Sequence, residues 1–218
     1  MKHKKIYTET TGLIKLREEK KIHLDDAEAT LTKLIKKDPE CDWAYGLLAQ
    51  IYYWRGEVAE SKDRIKFYQR GVEYGEQGVA VNSENLESNF WLAVDYGLLG
   101  QERGILESLR LIDPIEKHAE KALKLDESYF YGGPLRLLGR FYNQLPGWPI
   151  SRGDNKKALQ YLQKALHYGP KFYLNHLYIA DIYITLKDKE KAREHLQWVI
   201  KAPPSPHHEQ EDSRYKQA

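Results

Sequence analysis

The stretch YFYGGPLRLLGRFYNQLPGWPISRGDNKKALQYLQKALHYGP, residues 129–170, holds two helices and a loop, and the same succession recurs on both sides of it. Gly132-Gly133 is a flexible pair, and Pro134 loses nothing in a first helical turn, where its missing N–H would have no partner. A helix is predicted from that point, with Leu135, Leu138, Phe141, Tyr142 and Leu145 spaced three and four apart as one buried stripe. Pro146, Gly147 and Pro149 stop it. Asp154 or Asn155 then caps a second helix with Ala158, Leu159, Leu162, Ala165 and Leu166 on its apolar face, and Gly169-Pro170 closes it.

The first of these helices has counterparts in GLLAQIYYWRGE, FWLAVDYGLLGQ and LYIADIYITLKD. Each carries a small residue and, three further on, a tyrosine: Ala49 and Tyr52, Ala93 and Tyr96, Gly139 and Tyr142, Ala180 and Tyr183. A small residue one turn before an aromatic lets a helix approach its partner closely while the ring fills the adjoining gap. The tyrosines stand 44, 46 and 41 residues apart, a loose period. The last copy continues from Ala180 to Ala192, Leu196 and Pro204.

Those positions have the spacing of a tetratricopeptide unit, and the chain resembles the tetratricopeptide-repeat superfamily from about Asp26 to Pro204. The resemblance implies an all-α fold: a right-handed superhelix of four or five antiparallel helix pairs, about nine or ten helices in all, with second helices longer than usual. Residues 1–204 are expected to form one domain, in which 1–25 supply a leading helix and 26–204 the repeats. The tail 205–218 reads as disordered or loosely docked. A weaker likeness, carried by the GGPLRLLGRFY and LPGWP segments, points to bacterial extracytoplasmic repeat proteins, including the component that accompanies some tripartite organic-acid transporters.

With 218 residues, 41% hydrophobic and 30% charged, the chain is large enough for a proper core. Its net charge of +2 comes from interleaved acids and bases, which argues against a nucleic-acid stripe. One cysteine, Cys41, excludes an internal disulfide and a multi-cysteine metal cage. No stretch is apolar for long enough to span a membrane, and MKHKKIYTET lacks the apolar core of a leader. The sequence as written reads as soluble, cytoplasmic, or periplasmic if a leader has been removed. Gly71, Gly75 and Gly78 line one side of a long second helix, at a propensity cost that a closely packed neighbour would offset.

No phosphate loop, dinucleotide fingerprint, HExxH helix or GxSxG elbow occurs, so no catalysis, cofactor or metal is expected. His176 and His195 fall in the two helices of the last pair, where they can meet as a surface or core pair. His207-His208-Glu209 lies in the polar tail without a preorganised ligand set.

In tetratricopeptide folds the first helices line the concave face. Carried over by position, the resemblance implies that Gln50, Tyr53, Trp54, Phe90, Arg136, Arg140, Asn143 and Asp181 face a ligand or partner. The leading expectation is a scaffold that binds a protein or peptide there, and a homo-oligomer is left open. The alternative is a transporter-associated component that holds a small organic anion or hydrophobic ligand in a closed pocket. Arg136 and Arg140 lie four apart on one helix and repel unless something negative is near. Two sources remain open: a carboxylate of the ligand, or an internal partner among Glu87, Asp95 and Asp181.

Overall fold

The structure, a computed structural model, describes residues 2–20 and 22–217. Among these residues eleven α-helices form and no strand; one isolated bridge, Gly147 to Gly153, closes a loop. The chain divides into two compact units, Met1–Leu125 and Asp126–Ala218.

The first unit contains α1 (Lys4–Lys15), α2 (Ile22–Lys37), α3 (Asp42–Val58), α4 (Ser61–Val81), α5 (Leu86–Arg103) and α6 (Ile105–Leu125). Helices α3 and α4 form one pair, α5 and α6 the next, and α2 is the half-unit that leads them, with Ala27, Leu31 and Leu34 buried. The glycine stripe of α4 meets α5. A Cβ on Gly75 would stand 2.8 Å from Leu92 Cβ, and Cβ atoms on Gly71 and Gly78 would collide with Asp95 and Ser88. Three successive turns of α5 thus sit against bare α4 backbone, a close approach that returns the helix propensity lost to glycine.

The second unit contains α7 (Tyr129–Gln144), α8 (Asn155–Tyr168), α9 (Tyr173–Thr185), α10 (Lys189–Lys201) and α11 (Glu209–Gln217). Phe130, Tyr131 and Gly132 take left-handed backbone angles, so the regular part of α7 begins at the Gly133-Pro134 step. Asp154 caps α8 by accepting from the N–H groups of Lys156 and Lys157.

The four marker tyrosines share one task. Tyr52 packs its ring near Tyr74 at 5.6 Å, Tyr96 near His118 at 6.3 Å, Tyr142 on Tyr161 at 6.0 Å and Tyr183 on His195 at 5.9 Å. Each contact joins the first helix of a pair to its second. The small markers lie one turn away: Ala49, Ala93 and Ala180 are fully buried, and a Cβ on Gly139 would crowd Leu162 at 2.6 Å.

The tail departs from the expected disordered or loosely docked segment. Residues 209–217 form α11, and His208, Glu211 and Asp212 are buried. His208 Nδ1 lies 2.8 Å from Glu211 Oε2, and Tyr215 donates to Glu211 Oε1 at 3.0 Å. The ring of His208 meets Phe172 edge-on at 5.4 Å. A polar sequence can bury its charges when they pair with one another against aromatic rings.

Candidate functional site

The eight positions assigned to a ligand face divide into three environments. In the first unit, Gln50, Tyr53, Trp54 and Phe90 are at most 8% exposed. Tyr53 lies 5.0 Å from the Trp91 ring and Phe90 lies 4.8 Å from it, which makes these rings part of the core between α3 and α5. The N-terminal segment closes the same face from outside. Tyr7 on α1 meets Trp43 edge-on at 5.1 Å and donates to Glu87 at 3.0 Å, while the Arg17 guanidinium covers Trp54 at 3.5 Å. Burial, with Glu87 beside it, pushes the Tyr7 hydroxyl up to about 12. The leading helix therefore covers side chains that the repeat pattern alone would leave open.

In the second unit Arg136 turns inward. Its Nη1 donates to the carbonyls of Phe130 and Tyr131 at 3.4 and 3.3 Å and to Asn175 Oδ1 at 3.2 Å, and its guanidinium lies 4.4 Å from the Phe172 ring centre. The left-handed turn at the start of α7 points those carbonyls at it. Asn175, fully buried, completes the knot: its Nδ2 donates to Tyr131, Ala165 and Gly169 carbonyls and so ties α7, the end of α8 and the start of α9 together. Sequence reasoning passed over Asn175, for an asparagine early in a helix reads as surface; its place two residues after the aromatic pair Phe172-Tyr173 was the available signal.

Arg140 and Asp181 form the third environment. Arg140 Nη1 and Asp181 Oδ2 are 2.6 Å apart, between α7 and α9, with side chains 29% and 47% exposed. Of the three internal acids open at the sequence level, Asp181 is the partner. Arg140 also lies over the Tyr178 ring at 4.6 Å. Asn143 donates to Asn155 at 3.0 Å and links α7 to the start of α8. Ile184 and Leu186, at the end of α9, are 56% and 45% exposed. The result is a half-exposed arginine–acid pair between α7 and α9, with the exposed Ile184 one turn along α9 from Asp181. Arg136 and Arg140, four apart in sequence, serve separate purposes: one locks the fold, the other borders solvent.

Among the described residues no helix is long and apolar enough to cross a membrane, and no group of three or more metal-ligating side chains forms.

Comparison with known proteins agrees with this architecture. A thermophilic tetratricopeptide-repeat protein of Thermus thermophilus superposes with a TM-score of 0.66 at 15% identity, over 96% of this chain and all of that one. The protein MamA superposes at 0.55 and 16% identity, over 92% and 95% of the two chains. These likenesses establish the tetratricopeptide-repeat fold. In sequence, the chain is 23% identical over 192 residues to regulator of microtubule dynamics protein 1 of Bos taurus, a match that covers 82% of this chain and 59% of that protein. None of these proteins is named as a transporter component, so the organic-acid transporter likeness receives no support from them. A family model described as regulator of microtubule dynamics protein 1-3 matches residues 12–146 and 150–218, and the chain belongs to that family.

Proposed function

We propose that this chain is a non-catalytic interaction module of the microtubule system that docks on a protein partner through the strip between α7 and α9. The observation that carries the reading is the half-exposed Arg140–Asp181 pair, with the exposed Ile184 one turn further along α9. Folded interiors close over such groups, whereas an interface needs an apolar contact and a charged contact within reach of one another. The relative's name, regulator of microtubule dynamics, supports tubulin polymer as the partner to test first. Arg140 would receive a carboxylate of the partner, Asp181 would keep the guanidinium oriented until then, and Ile184 and Leu186 would meet aliphatic side chains. In the first unit the corresponding face is already covered by the chain's own Tyr7 and Arg17.

The organic-anion reading requires Arg136 and Arg140 to converge on one recess, and Arg136 is engaged with backbone carbonyls and Asn175. Sedimentation of the chain with assembled microtubules, native against Arg140→Glu, tests the proposal: the native chain is expected in the pellet and the variant in the supernatant.

A further inference from the structure

Two histidines on the last helix pair face each other through the same ring nitrogen. His176 Nδ1, on α9, is 3.1 Å from His195 Nδ1, on α10. His176 Nε2 lies 3.0 Å from the Pro170 carbonyl and so carries a proton that it donates there. Its Nδ1 is then a bare lone pair directed at His195. Both rings are stacked, His176 on Trp198 at 3.6 Å with planes 7° apart and His195 on Tyr183. His176 is nearly closed to solvent, while His195 is partly open.

We propose that His176 and His195 are the two protein ligands of a site for a divalent transition-metal ion of the copper(II) or zinc(II) class. Two metal–imidazole bonds of about 2.0 Å span about 2.8 Å at a square-planar corner and about 3.3 Å at a tetrahedral one. The observed 3.1 Å falls between these values. The contact from His176 Nε2 to Pro170 is the hydrogen bond that metal-ligating histidines make through their second nitrogen, fixing tautomer and ring plane. With its Nε2 proton committed to the Pro170 carbonyl, His176 presents Nδ1 as the donor atom a metal ion needs. In the metal-free pair one proton lies between the two Nδ1 atoms. On binding, His195 carries that proton on Nε2, each ring tilts on its stacking partner so that both Nδ1 lone pairs meet at the ion, and water fills the remaining positions on the exposed side. The tail histidines compete poorly, since His208 is buried against Glu211.

The test is titration of the full chain with copper(II) at pH 7.5, followed by tryptophan fluorescence and calorimetry. Copper(II) beside a ring stacked on Trp198 is expected to quench a saturable fraction of the emission. Trp198→Phe should lose that fraction yet keep the calorimetric binding, His207→Ala should behave as native, and His195→Ala should lose the saturable site. His195 is partly exposed, so its alanine variant is expected to fold, which circular dichroism verifies; His176→Asn gives a second removal of one ligand. Native chain that binds no copper(II), or His195→Ala with the native midpoint and amplitude, would overturn the site.

Discussion

The carboxylate of Asp95 is pressed against the bare Cα of Gly71, with both of its oxygens buried and neither hydrogen-bonded. Burial, with Glu57 adding a like charge, raises its pKa well above the carboxylate range, so the acid is favoured in its neutral form inside the fold. A raised folded pKa means that the stability contribution is complete below the unfolded value of about 3.8 and is lost as pH rises through the folded one. Asp95→Asn, uncharged and of the same shape, is expected to melt like the native chain at pH 4 and above it at pH 8. Each 1 kcal/mol recovered corresponds to roughly 2–4 °C for a chain of this size. Equal melting temperatures at pH 8 would show that the acid is solvated or paired.

Gly71→Ala sets a methyl group into the same contact. Displacing the Asp95 side chain and parting α4 from α5 is expected to cost about 1–3 kcal/mol in denaturant unfolding. Ala180→Leu should cost a similar amount, because Ala180 is fully buried where α9 meets its neighbours. Gly97→Ala is the control, since nothing lies within 4 Å of a Cβ there, and replacing a partly exposed helical glycine should leave stability unchanged or slightly raised.

Asn175→Ala removes the Nδ2 group that serves three carbonyls and the Oδ1 that receives Arg136. Buried acceptors left without a donor cost about 1–3 kcal/mol. The loss should appear in the unfolding of the chain and as faster hydrogen exchange at the starts of α7 and α9. Native-like exchange at both places would contradict the role assigned to this residue.

Acid acts on a different set of groups. His118 donates from Nδ1 to Asn89 Oδ1 at 2.8 Å, and burial lowers its pKa, as it does for His176 and His195. A lowered folded pKa gives stability that is complete above the unfolded value of 6.5 and declines as pH falls through the folded value. The histidine contribution is therefore expected to decline between pH 7 and pH 5, against the opposite contribution of Asp95, and His118→Gln should lose less stability than the native chain over that interval. An identical pH 7 to pH 5 change in melting temperature for the two proteins would oppose the assignment.

The fold was legible in sequence through its repeated small-residue and tyrosine markers, because both halves of that pattern serve one contact, the seam between paired helices. The glycines of α4 were legible for the same reason, through the cost they carry. The ligand-facing set was less so. Offsets taken from the repeat treat each unit as open, and nothing in Tyr7 or Arg17 announces that the leading segment will cover Trp43 and Trp54. The tail was missed because its hydropathy is that of a solvated segment, and the His208–Glu211 pair that buries it becomes stabilising only against Phe130 and Phe172. Arg136 and Arg140 share a helical face by spacing, but the left-handed turn that draws Arg136 inward depends on three backbone angles that no periodicity reports.

Arg140 carries the functional proposal, and its pair with Asp181 is exposed enough that its contribution to stability is small, about 0–1 kcal/mol. Arg140→Glu should therefore melt close to the native temperature, and any loss of binding reads on the interface itself. The decisive measurement is the affinity of the native chain and of Arg140→Glu for assembled microtubules by co-sedimentation at matched salt. Saturable binding of the native chain, weakened at least about tenfold in the variant, equivalent to about 1.4 kcal/mol, is the predicted result. Equal affinity of the two proteins, or a native chain that stays in the supernatant, would contradict it.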